Sequence, residues 1–289
     1  MDATPDIPGP DRLVKPPAAR APTGACDCHA HVFARPGSHY LNPLRGYTPP
    51  EASLNDFRAM HRVLGIDRAV IVQPSVYGTD NRCSRQAVEA LGDAGRGVAV
   101  IDLDTPDDEL ARLHEAGFRG SRFNVLSGGG VDLTQLEAVA ARLAELGWHL
   151  QTFIDGAALA ELAPRLAALP VEVVVDHLGH PDPELDIDQP GFRALLGLLR
   201  DGQAWVKISG AYRVDSGPAP WPAADRFAEA LIAAAPDRLV WGSDWPHPAL
   251  SGPMPNDGDL FDRLLAWTPD EDLRRRILVD NPARLYDFP

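Results

Sequence analysis

Two histidines stand two residues apart, His29 and His31, in the stretch ACDCHAHVFARPG between Ala25 and Gly37. Side chains alternate along an extended strand, so the pair should share one face with Asp27, leaving Cys26 and Cys28 on the other. Imidazole nitrogens gathered this way can ligate a metal, hold a water or carry a proton. Similar groups close apolar runs further on: His177 in VVVDHLG and Asp244 in WGSDWPHP. Arg122 in GSRFN, Lys207 in WVKIS and Ser75 in IVQPS occupy comparable places. Three imidazoles and a carboxylate converging on one point suit one divalent ion such as Zn2+. The same four groups can instead activate a water by hydrogen bonds alone. Taken singly, His29 or His177 reads as a satisfied core histidine and Asp244 as a helix cap. It is the four together, all at strand ends, that mark a site.

The elements that must position them alternate along the chain. Eight apolar runs have strand length: ACDCHAHVF, RAVIVQPS, GVAVIDL, FRGSRFNVL, HLQTFID, VEVVVDHLG, AWVKISG and LVWGSDW. Between them lie amphipathic stretches. SLNDFRAMHRVLG opens with Ser53 and, three residues on, Asp56, a capping-box start. TPDDELARLHEAG offers Thr105 as N-cap, Pro106 in the first turn and Gly117 as a stop. DLTQLEAVAARLAELG spaces Leu136, Val139, Leu143 and Leu146 along one face. Further helical patterns lie in AALAELAPRLAAL, FRALLGLLRDG, ADRFAEALIAAA and DEDLRRRILVD. Strand–helix alternation over the 289-residue chain predicts a (β/α)8 barrel as a single domain, residues 24–289, behind an irregular proline-rich arm, residues 1–23. An open doubly wound sheet would more often carry a glycine-rich turn after its first strand, which CDCHAHVF lacks.

Composition narrows the function. A net charge of −14 argues against general affinity for nucleic acid or anionic membranes. Three cysteines make no disulfide framework, and Cys26 and Cys28 read as small buried hydrophobes. MDATPDIPGPDRLVKPP has no apolar signal-peptide region, and no run is long enough to span a bilayer. A soluble, cytoplasmic protein is the expectation, with homo-oligomeric assembly left open. SGGG, residues 127–130, resembles a phosphate cradle but lacks the lysine and the strand–helix context of one.

DCHAHVF, VVVDHLG, WGSDWPHP and the terminal NPARLY resemble the amidohydrolase superfamily, in its lactonase and decarboxylase branch. VQPSVYGTDN and RFNVLSGGG bring the likeness closest to the 2-pyrone-4,6-dicarboxylate lactonases and their sugar-lactone and sulfomuconolactone hydrolase relatives. The resemblance runs from about Ala25 onward. It implies that His29, His31, His177 and Asp244 form the catalytic set, that Arg122 and Arg213 hold a substrate carboxylate, and that Tyr47 and Ser75 line the site. It also implies one divalent metal, Zn2+, on the same four residues, with metal-free catalysis as the alternative. Two metals are not expected, because the fifth run offers no lysine to be carboxylated as a bridge. The family carries a further arginine where this chain has Ser127–Gly130, a departure that argues against the dicarboxylate itself as substrate.

The implied activity is hydrolysis of a small carboxylate-bearing lactone, with Asp244 as general base. A metal-dependent decarboxylase or hydratase of an unsaturated or aromatic acid is the alternative on the same scaffold. A silent barrel acting as a scaffold is disfavoured, since it has no need of four costly polar groups at one rim. His180 and His247 read as supporting loop residues, and Lys207 as a group buried for structure or for substrate polarity.

Overall fold

Eight short strands pair in parallel and in chain order: β1 Cys26–Ala30, β2 Arg68–Val72, β3 Gly95–Ala99, β4 Phe118–Asn124, β5 His149–Phe153, β6 Val173–Val175, β7 Ala204–Lys207 and β8 Leu239–Val240. Seven lie within one of the eight apolar runs, and β3 begins two residues before GVAVIDL and overlaps it. The structure is a computed structural model and describes residues 4–124, 126, 131–250 and 252–289. Past its last paired residue, β8 continues beside β1 and closes the ring. Cys28 N donates to Trp241 O (2.8 Å), Asp244 N to His29 O (2.8 Å) and His31 N to Trp245 O (2.7 Å). Gly242 permits this approach, since a Cβ there would lie 2.5 Å from His29 Cβ. The expected (β/α)8 barrel is the fold, in one domain.

The helices are α1 Leu54–Leu64, α2 Arg82–Leu91, α3 Asp107–Glu115, α4 Leu136–Glu145, α5 Leu159–Ala167, α6 Pro190–Arg200, α7 Ala211–Val214, α8 Asp225–Ala234, α9 Asp257–Trp267, α10 Glu271–Arg275 and α11 Asn281–Tyr286. Ser53 and Asp56 form the expected capping box on α1. The start of α3 differs by one residue: Pro106, in extended conformation, is the N-cap, and Thr105 Oγ1 instead accepts from Asp102 N. Periodicity missed α2, whose buried face is mostly small (Cys83, Ser84, Ala87, Val88), and α9, which opens on Asp-Gly-Asp.

Strand residues alternate between two cores, as both faces of a parallel barrel are buried. Ile71, Phe123, Leu150, Val175 and Val206 face the helices. Val70, Val72, Val98, Val174, Trp205 and Val240 fill the barrel interior, with Tyr286 among them. Cys26 and Cys28 belong to this interior cluster, as small buried groups with free thiols. The expectation for strand β1 is therefore corrected. Its register against β2 shifts between Asp27 and Ala30, so simple alternation breaks there. Asp27 does not share the face of His29 and His31. Its carboxylate accepts from Ser243 Oγ (2.5 Å) and Ser243 N (2.9 Å), and lies 3.2 Å from His61 Nε2 on α1.

Residues 4–23 lie across the body rather than away from it. Ile7 N donates to Thr48 O (3.1 Å), Lys15 pairs with Asp259 (2.6 Å), and Ala21 N reaches Leu64 O (2.9 Å). No helix among the described residues is long and apolar enough to cross a membrane.

Candidate active site

Asp244 follows β8 at a left-handed φ of 64°, one of several non-glycine residues so strained in the loops after β6 and β8. Its two oxygens have different surroundings. Oδ2 accepts from Tyr212 OH (2.6 Å) and from Arg213 Nε. Oδ1 has no hydrogen-bond partner and lies 3.7 Å from His29 Nε2 and 3.8 Å from His31 Nε2. His177 Nε2 is 3.7 Å from Oδ2, and its ring packs 4.6 Å from that of His29. The strand-1 pair, the histidine after β6 and the carboxylate after β8 thus meet at one point.

Protonation follows from the neighbours. His31 Nδ1 lies 2.8 Å from the carbonyl of Val72, which can only accept, so Nδ1 carries the hydrogen and Nε2 presents a lone pair. Burial lowers all three imidazoles, His31 and His177 well below the ordinary range, with Lys207 adding to the effect at His29. Burial alone would push the Asp244 carboxyl up, but the surrounding groups, the Arg213 guanidinium foremost, together bring it well below the usual carboxylate range. With the imidazoles neutral, Arg213 is the charge that matters there.

Below the quartet lies a second buried network. Asp176 Oδ2 accepts from Arg122 Nε (3.0 Å) and Gln151 Nε2 (3.0 Å), while Oδ1 lies 3.3 Å from His29 Nδ1 and 3.5 Å from Lys207 Nζ. Lys207 Nζ also donates to Cys28 O (2.8 Å) and Gln151 Oε1 (2.8 Å). Burial raises Asp176, yet the surrounding groups, with Lys207 and Arg122 among them, bring it well below its usual value.

Above the quartet opens a cavity of about 210 Å3, with His31 and Asp244 at its base. Arg122, Arg213, Tyr47 and Ser75 line it, together with Asn124 and Phe153. The Phe153 ring lies under both guanidiniums, 4.9 Å from Arg122 Cζ and 5.7 Å from Arg213 Cζ. Each arginine commits one edge to an internal carboxylate, Arg122 to Asp176 and Arg213 to Asp244, and Arg213 Nη2 also reaches Pro248 O (3.1 Å). Burial raises the Tyr47 phenol above its usual range, so it stays protonated. The Ser127–Gly130 segment lies outside the described residues.

An amidohydrolase family profile matches residues 26–288. The chain belongs to the amidohydrolase family. Among curated relatives, this amidohydrolase is 40% identical to a 2-pyrone-4,6-dicarboxylate hydrolase of Comamonas testosteroni, over 93% of the chain and 92% of the relative. It is 35% identical to a 4-sulfomuconolactone hydrolase of Hydrogenophaga intermedia, over 99% and 96%. An apo crystal structure from Agrobacterium tumefaciens superposes with a TM-score of 0.87 at 34% identity, covering 94% of this chain and 99% of that one.

Many members of this family bind a divalent metal, and the residues present fit a single ion. One donor atom each from His29, His177 and Asp244 lies within 4.8 Å of the others. His29 Nε2 and Asp244 Oδ1 are buried polar atoms without a hydrogen-bond partner, and His31 Nε2, with its free lone pair, lies 3.8 Å from the same Oδ1. This is the only such cluster among the described residues. Lys207 is engaged within the Asp176 network, so no bridging group for a second ion is in place.

Several groups of this amidohydrolase site escaped the sequence reading. Asp176 directly precedes His177, but nothing local tells that it faces Lys207. Tyr212 stands one residue before Arg213 and Phe153 ends the fifth strand; neither position carries a motif of its own. Ser209 Oγ, 3.0 Å from His177 Nδ1, was likewise unmarked.

Proposed function

We propose that the chain opens the ester bond of a small carboxylate-bearing lactone by water attack. The observation that carries this reading is the divided carboxylate of Asp244: one oxygen is tied by Tyr212 and Arg213, and the other is free at the base of an arginine-lined cavity. In the metal-free alternative, Asp244 Oδ1 and His31 Nε2 are both acceptors facing the same space, so together they hold a water with its oxygen lone pair turned toward the cavity. Asp244, ionised, takes the proton as general base and returns it to the departing oxygen. Arg122 and Arg213 anchor the substrate carboxylate with the nitrogens not spent on Asp176 and Asp244. Tyr47 and Ser75 border the ring, and Phe153 keeps the two guanidiniums in place. Productive orientation comes from these anchors rather than from the reacting atoms.

One divalent ion, with zinc the proposed identity, would be held by His29, His31, His177 and Asp244 and would supply Lewis acidity for the developing oxyanion. The tautomer of His31 supports this, since a lone pair on Nε2 is what a metal ligand requires. The two curated relatives named above are lactone hydrolases, which favours lactone opening over the decarboxylase or hydratase alternative. The substrate is a small molecule, and the net charge of −14 disfavours nucleic acid and anionic membrane as partners.

The test is proton release on a panel of 2-pyrone-4,6-dicarboxylate, muconolactones, 4-sulfomuconolactone and aldonolactones, with Asp244→Asn alongside. Turnover that Asp244→Asn lowers by at least about a thousandfold supports the reading. Silence across the panel, or an active Asp244→Asn, refutes it.

A further inference from the structure

Behind Asp244 runs a string of buried polar groups, of which the reaction as described uses only Tyr212. Tyr212 OH lies 2.6 Å from Asp244 Oδ2, His247 Nδ1 lies 3.3 Å from the same hydroxyl, and Asp257 Oδ1 lies 3.2 Å from His247 Nε2. All four residues are at least nine-tenths buried. Tyr212 sits on α7, His247 in the loop after β8 and Asp257 in the first turn of α9, so three separate elements supply a string that ends on one carboxylate oxygen. Hydrogen-bond chemistry gives the string a direction. An ionised Asp244 only accepts, so the single proton of Tyr212 must go to it. The Tyr212 oxygen is then left to accept, which places a proton on His247 Nδ1. Asp257 Oδ1 stands 3.2 Å from His247 Nε2, although neither atom makes a hydrogen bond.

We infer that His247 and Tyr212, with the Asp257 carboxylate beside them, form a positioning relay that fixes Asp244 Oδ2 and thereby leaves Oδ1 as the working oxygen. The inference rests on the general-base reading of Asp244. Tyr212 touches the base and not the substrate, and His247 and Asp257 act through it. Nor do Tyr212, His247 or Asp257 line the cavity, so loss of the relay should leave substrate binding alone. Without Tyr212, Arg213 alone holds the carboxylate, and rotation about its side chain turns Oδ1 away from the two imidazoles.

The experiment compares Tyr212→Phe, His247→Leu, His247→Asn and the double variant Tyr212→Phe/His247→Leu, with Asp244→Asn as reference. 2-Pyrone-4,6-dicarboxylate and 4-sulfomuconolactone are the probes. Tyr212→Phe and His247→Leu should each lower kcat roughly 10- to 100-fold, the worth of one hydrogen bond to a charged group, with KM within about threefold. The double variant should lose no more than the worse single, because the two act as one unit. His247→Asn keeps a donor where Nδ1 stood and should recover most of the loss. Independently of substrate, histidine-labelled protein should show a slowly exchanging Nδ1 proton of His247 that Tyr212→Phe shifts. Tyr212→Phe within twofold of wild type, additive losses, a loss confined to KM, or the absence of that proton overturns the relay while leaving Asp244 as base. An active Asp244→Asn overturns both.

Discussion

Replacing Asp176 by Asn tests whether the charges beneath the site hold one another in place. The substitution keeps shape and removes one negative charge. In the wild type that charge faces two buried cations, with Lys207 fully buried and Arg122 4% exposed, beside a neutral His29. The cluster then goes from one net positive charge to two. Removing one member of a buried pair costs about 3–5 kcal/mol, because an uncompensated charge is left behind. Unfolding entropy of about 2.1 cal/mol/K per residue, taken over 289 residues, turns this into a fall in Tm of about 5–8 °C. The deficit should depend on pH. Burial already lowers Lys207 below its ordinary value, and Asp176 is the foremost group opposing that shift. In Asp176→Asn the folded-state value drops further below the unfolded one. Between the two values the unfolded chain binds the extra proton, so stability rises with pH, and the deficit should shrink from pH 6 to pH 9. Scanning calorimetry at a fixed rate, with Asp176→Asn, Lys207→Met and the double variant, measures this. The double variant should be more stable than the sum of the singles predicts. A Tm drop under 2 °C, or strict additivity, would refute the charge-balance reasoning.

Arg122→Met should raise KM for a carboxylate-bearing lactone roughly 10- to 150-fold, the loss of a charge-assisted anchor, with a smaller effect on a neutral lactone of the same ring size; equal effects on both would remove its anchoring role. Elemental analysis of protein prepared with zinc should find one equivalent, lost in His177→Ala and by chelation; two equivalents, or binding untouched by His177→Ala, would contradict the single-ion site. Burial, then Lys207, lowers His149 to about 3, so its folded-state value lies below the unfolded one; its contribution is complete above about pH 6.5 and lost as pH falls toward 3. His149→Leu should therefore flatten the acid limb of the Tm–pH curve by up to roughly 3–5 kcal/mol, and an unchanged limb would assign that loss to other groups.

The order and number of strands were legible because parallel barrel strands are buried on both faces and read as short, near-continuous apolar stretches, as Val173–Val175 does. Ser53 and Asp56 were legible because a capping box is local. His29, His31, His177 and Asp244 were visible because polar groups at the carboxyl ends of such runs are costly without a purpose. What tertiary structure decided lies in relations the chain does not encode locally. A register shift in β1 turned Asp27 away from the histidines and its neighbouring cysteines inward. Lys207 meets Cys28 and His29 across 179 and 178 residues, and Tyr212 meets Asp244 across 32. The sequence by itself determined which residues are polar at the barrel mouth, since local patterning places them there. Only closure of the ring decided which atom of each faces which partner, because that depends on register and packing summed over eight strands.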